Sequence, residues 1–203
     1  MKVPSVRSRR IASLAVPAAM VLVGAMVWQA SSSAFSSDTR NIGNSWETGS
    51  VALTDDDAGA AMFQVQNVVP GQTGQKCIQV TARSSVPGLV KLYTADLAAD
   101  GLQDYVKVTI QQGTGGTFGD CTGFVASATE TSQSLSQLAA DHTSYGTGIL
   151  PWSTAGVPTG ESATYKVSWV FDVGSLDQAA VDDLQGHSTS INLEWELQNT
   201  PPS

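Results

Sequence analysis

The chain has 203 residues, with 10 Lys plus Arg against 18 Asp plus Glu, two His, two Cys, and a composition 41% hydrophobic and 14% charged. That apolar share supports one globular core rather than a disordered chain. So few His and Cys exclude most zinc, thiol and iron–sulfur chemistry, and no cofactor is expected.

Lys2, Arg7, Arg9 and Arg10 precede an apolar stretch from about Ile11 to Ala30, and the first acid is Asp38. A basic start ahead of a hydrophobic middle is the layout of an export signal. The small residues Ser31-Ser32-Ser33-Ala34 follow, so cleavage is predicted between Ala34 and Phe35. Residues 1–34 then form a signal peptide, and 35–203 a single secreted domain, extracellular or at the cell surface. An uncleaved anchor helix is the competing reading, because the stretch approaches the roughly 20 residues a bilayer needs; Pro17 and the small-residue run count against it. Membrane contact is expected only through this segment, and a signal peptidase acts on the precursor. Cleavage leaves six bases against 18 acids, a net charge of −12. Nucleic acid, which is held by clustered Lys and Arg, is not an expected partner. Although Leu150-Pro151-Trp152-Ser153-Thr154 superficially resembles a cell-wall sorting signal, no apolar segment and basic tail follow it, and wall anchoring is not expected.

The mature chain alternates with period two. Strands are predicted at Gly49 to Thr54, Ala61 to Asn67 (Phe63 and Val65 inward), Gln75 to Ala82 (Ile78 and Val80 inward) and Leu89 to Thr94. Stronger examples are Val106, Val108 and Ile110; Tyr165 to Val173; and Ser190 to Gln198, where Ile191, Leu193, Trp195 and Leu197 share one face. Asp55-Asp56-Asp57-Ala58-Gly59, Pro70-Gly71-Gln72-Thr73-Gly74 and Pro87-Gly88 mark turns. Two short helices are inserted: Leu135 to Ala140, with Ser134 and Gln137 as a capping box, and Leu176 to Gln185, with Ser175 as N-cap, Gln178 as its box partner and Gly186 as the stop. About seven strands buried on one side predict an all-β fold, an antiparallel two-sheet, jelly-roll-like sandwich. In an exported chain, Cys77 and Cys121 are expected to be bridged, closing a loop of about 44 residues for which chain entropy gives about 4 kcal/mol.

Specific residues carry a family resemblance. Phe35-Ser36-Ser37-Asp38, then Asn44-Ser45-Trp46-Glu47-Thr48-Gly49-Ser50-Val51-Ala52-Leu53, resembles the opening of the TasA/camelysin family. Val68-Val69-Pro70-Gly71-Gln72-Thr73-Gly74, leading into Cys77-Ile78-Gln79-Val80, resembles that family's Pro-Gly turn before its next strand. Leu53-Thr54-Asp55-Asp56-Asp57, the Cys pair and Trp195-Glu196-Leu197-Gln198-Asn199 look most like an actinobacterial branch. The resemblance implies export through a dedicated signal peptidase, a jelly-roll-like sandwich, and a role as a fibre-forming or accessory protein of the extracellular matrix. It also implies self-assembly, or assembly with other matrix proteins, by addition of a freed N-terminal strand to the next subunit. The candidate donor is Phe35 to Ser45, with Phe35 and Ile42 as apolar anchors; their opposite parity would require a bulge.

Camelysin members have been called metalloendopeptidases, so such an enzyme is the alternative. Zinc hydrolysis by the familiar route needs two His one helical turn apart with a Glu between them; His142 and His187 are 45 positions apart, and each reads as a loop histidine. No Gly-x-Ser-x-Gly elbow is present, and no catalytic residue is assigned. A calcium- or carbohydrate-binding sandwich is a further alternative. Asp55, Asp56 and Asp57, completed by Asp120, are weak calcium candidates, since consecutive carboxylates in extended chain point opposite ways. Trp152, with Tyr145 nearby, is the candidate sugar-stacking platform, whereas Trp169 and Trp195 read as core.

Overall fold

The alternation resolves into two facing antiparallel sheets. The computed structural model describes residues 50–199; the signal segment, the Ala34/Phe35 cleavage site, the donor candidate with Ile42, and Trp46 lie outside them. Nine strands run in chain order: β1 (Val51–Asp55), β2 (Thr73–Ser84), β3 (Gly88–Asp100), β4 (Val106–Thr114), β5 (Val125–Thr129), β6 (Gln133–Ser134), β7 (Ile149–Thr154), β8 (Glu161–Phe171) and β9 (Ser188–Asn199). Sheet I has the order β1-β2-β8-β4-β5, with β6 also on β4; sheet II has the order β7-β3-β9. The protein is an all-β sandwich with two short inserted helices, α1 (Leu135–Asp141) and α2 (Gln178–Asp183).

Register brings the period-two positions together. In sheet I, Ile78 pairs with Tyr165, Val80 with Ala163, Ile110 with Val167, and Val108 with Trp169. In sheet II, Val90 pairs with Leu197, Leu92 with Trp195, and Thr94 with Leu193. Paired residues share a face, so both sets point between the sheets. Ile78, Val80, Val90, Leu92 and Tyr165 are fully buried, and each such large side chain contributes roughly 1.5–3 kcal/mol by leaving water.

The first predicted helix forms as expected. The Ser134 hydroxyl accepts from the Gln137 backbone N–H at 3.2 Å, and the Gln137 side chain accepts from the Ser134 N–H at 3.4 Å. Leu135 and Leu138 are thereby set into the core. The second helix is shorter than expected and capped by Asp177 instead of Ser175, with the Ala180 N–H donating to the Asp177 carboxylate at 2.9 Å. Leu176 is held in a preceding turn by the Val173 carbonyl, and an ionised cap favours the helix dipole better than a hydroxyl does.

Ala61 to Asn67 does not form the predicted strand. Pairing of β1 with β2 ends at Asp55 and Val80, and the next stretch of the β2 edge is taken by the β4–β5 loop, whose Gly119 N–H donates to the Cys77 carbonyl at 2.9 Å. Displaced from the β2 edge, the segment crosses to the sandwich interior, where the Phe63 ring meets Trp169 edge-on at 6.4 Å. Three strands, β5, β6 and β7, were not anticipated.

Candidate functional site

The disulfide forms between Cys77 and Cys121, with Cα atoms 5.2 Å apart. Cys77 lies opposite Lys166, on the outer face of sheet I. The bridge therefore draws the β4–β5 loop across that face, where Lys166 Nζ sits 5.6 Å from the centre of the Phe124 ring.

The three consecutive acids do separate jobs. Asp55 closes β1, and its carboxylate accepts from the Asp57 N–H at 3.3 Å. Partial burial, with Asp57 next to it, raises the Asp55 pKa above the ordinary value. Asp56 accepts from the Gln79 N–H and the Phe118 N–H, both at 2.7 Å, and so ties the disulfide loop to the β2 edge. Asp57 turns back onto the Gly59 N–H. Asp120 accepts from the hydroxyl and N–H of Thr122, which hold its carboxyl below the usual range. Among the described residues, no three His, Cys, Asp or Glu side chains are grouped as a metal site.

The histidines are anchored separately. His142 caps α1, and its Nδ1 lies 2.8 Å from the Thr147 carbonyl, while its own carbonyl accepts from Thr94. His187 Nδ1 meets the Asp100 carbonyl at 2.5 Å. Thr94 and Asp100 are six residues apart on β3, so these anchor points are separated by roughly 20 Å of strand. Trp152, expected as an exposed platform, instead pairs with Val90 and packs half-buried against the core. Tyr145 is fixed by its hydroxyl, which donates to the Leu89 carbonyl at 2.9 Å, and Lys91 Nζ covers its ring at 4.9 Å.

The feature that alternation alone missed is a cleft of about 1270 Å³ between the sheets. Its floor is Ile78, Val108, Ile110, Val167, Trp169 and Phe171 of sheet I; Leu135 and Leu138 of α1 close one part, Val181 of α2 and Leu184 just after it another. Every residue from Leu184 to Trp195 lines it, both parities of β9 included. The cleft therefore wraps around the edge of that strand. Among the described residues β9 pairs with β3 alone, leaving the backbone groups of its other edge turned towards the cleft. Ile191, Leu193 and Trp195 are consequently half-buried, although they occupy inward positions.

Two indoles mark the cleft wall. A Cβ on Gly74 would collide with Trp169 Nε1 at 2.5 Å, so this glycine makes room for the indole laid across β2. Trp195 packs on Tyr165 with ring centres 5.3 Å apart. The Tyr165 hydroxyl and both indole N–H groups are buried without a hydrogen-bond partner among the described residues, and burial pushes the Tyr165 hydroxyl pKa well up. Among the described residues, no helix is long and apolar enough to cross a membrane. The sequence matches no protein-family model and no curated protein.

Proposed function

We propose that this chain is a secreted, non-enzymatic structural protein of the extracellular matrix or cell surface, and that its copies join by adding a strand along β9. The observation that carries this reading is the twelve-residue β9, paired on one side and bordered by an apolar cleft on the other. A strand in that position gains backbone hydrogen bonds from the edge and pockets for alternate side chains from the cleft. The donor is Phe35 to Ser45 of a neighbouring copy, freed by cleavage after Ala34. Head-to-tail addition of this kind propagates without closing, which yields fibres. The acidic surface, at −12 after cleavage, keeps subunits soluble until the edge is engaged.

Export is tested by sequencing the N-terminus of the secreted form, which is expected to read Phe-Ser-Ser-Asp; a membrane-retained chain still carrying Lys2 contradicts it. Assembly is tested by electron microscopy of the purified mature chain, where filaments are the expected result and dispersed monomers at all concentrations the contrary one.

A further inference from the structure

Assembly along β9 leaves the space between the sheets unexplained. A strand added in the plane of sheet II would lie beside β9 and enter the cleft only with alternate side chains, leaving most of its volume open. The volume of about 1270 Å³ exceeds the roughly 300–1,000 Å³ of ordinary small-molecule sites, and it has an apolar wall, with Trp169, Leu193 and Trp195 only half-buried, beside a polar one that includes Gln178, Ser190 and Asn192. The charges bordering it have one sign. Asp57, Asp182 and Glu194 line it, with no Lys or Arg among the described lining residues. The Nδ1 of His187, another lining residue, already meets the Asp100 carbonyl. A carboxylate or phosphate placed there would face like charges, and the nearest cation, Lys76, stands behind the lining with its ammonium over the Phe63 and Phe118 rings.

We propose that the cleft binds a single-chain amphiphile with a non-anionic head group: the alkyl chain lies between the sheets against Trp169, Leu193 and Trp195, and the head remains at the acidic rim. A neutral head avoids the repulsion, and an ammonium head gains from it and from the nearby indole faces. This binding does not depend on the assembly reading, since it uses side chains of one subunit.

The test titrates the purified mature chain, at pH 8 and below micelle-forming concentrations, with dodecanol, dodecylamine and dodecanoate, reading tryptophan emission and heat. Dodecanol and dodecylamine are expected to bind saturably and at least tenfold more tightly than dodecanoate. The rim double variant Asp182→Lys/Glu194→Lys is expected to narrow that ratio to under threefold while leaving dodecanol binding within a factor of two. Absence of saturable binding, equal or tighter binding of dodecanoate, or an unchanged ratio in the double variant would overturn the proposal. Sedimentation velocity on the same samples separates the two readings. Self-association that abolishes saturable dodecanol binding means that a second copy fills the cleft, and it overturns ligand binding; non-assembling protein that still binds dodecanol overturns assembly alone.

Discussion

Cys77 is fully buried beneath the β4–β5 loop, and its bond to Cys121 holds that loop together with Asp56, which accepts from Gln79 and Phe118, and the Gly119 N–H, which donates to the Cys77 carbonyl. Replacing both cysteines by Ser is expected to lower stability by about 2–4 kcal/mol in denaturant titrations. Unfolded alkylation without reductant should label no thiol; two labelled thiols in freshly secreted protein contradict the bridge. Gly113 is a sharper case of residue-level constraint. It sits at the β4–β5 bulge, and a Cβ there would strike the Val125 carbonyl oxygen. Because the obstacle is backbone, Gly113→Ala must displace β5, at an expected cost of about 1–3 kcal/mol. Unchanged stability together with retained exchange protection of the β5 amides would refute this. Glu161 accepts N–H groups from Ala155, Gly156 and Val157, which hold its carboxyl below the ordinary value of 4.5. A depressed folded-state pKa gives stability that is present above the unfolded value and lost as pH falls through the folded one. The melting temperature should therefore drop below about pH 5, and Glu161→Gln should flatten part of that slope; a variant with the full wild-type slope contradicts the assignment.

At the scale of elements, legibility followed how self-contained each signal was. The four long strands β2, β3, β8 and β9 are readable because each turns its apolar residues to one face, fully buried in the first three and half-buried in β9, and α1 because Ser134 and Gln137 are local reciprocal caps. Ser134→Ala is expected to cost about 1 kcal/mol and to loosen α1 first, seen as faster amide exchange at Leu138; uniform exchange across the domain would refute it. Ala61 to Asn67 carries the right alternation and forms no strand, because the β2 edge next to β1 is taken by the Gly119 N–H. Val125–Thr129 was invisible for the opposite reason: all five residues are exposed, so no burial pattern marks them. Ile149–Thr154 hid behind Pro151, a residue tolerated at the sheet edge that β7 occupies. Its register places Trp152 opposite Val90, which turned a predicted surface aromatic inward. The cleft was illegible for a related reason. Alternation reports which side chains point inward but not whether the facing sheet is wide enough to cover them, and among the described residues sheet II has three strands against the six of sheet I.

At the scale of the whole molecule, that inequality of sheets is the physical basis of the functional reading. A sandwich short of strands on one side keeps apolar surface and backbone hydrogen-bonding groups available next to each other, and a strand from another copy satisfies both. The proposed assembly would be coupled to export, because its donor would become free only on removal of the signal segment. The uncleaved precursor is accordingly expected to sediment as a monomer under conditions in which the mature chain polymerises. The most direct measurement is electron microscopy of the mature chain beside a variant lacking Phe35 to Asn44, with the melting temperature of each recorded. Filaments from the intact chain, none from the deletion, and nearly equal monomer melting temperatures are predicted; filaments that persist after the deletion would contradict assembly by this donor strand.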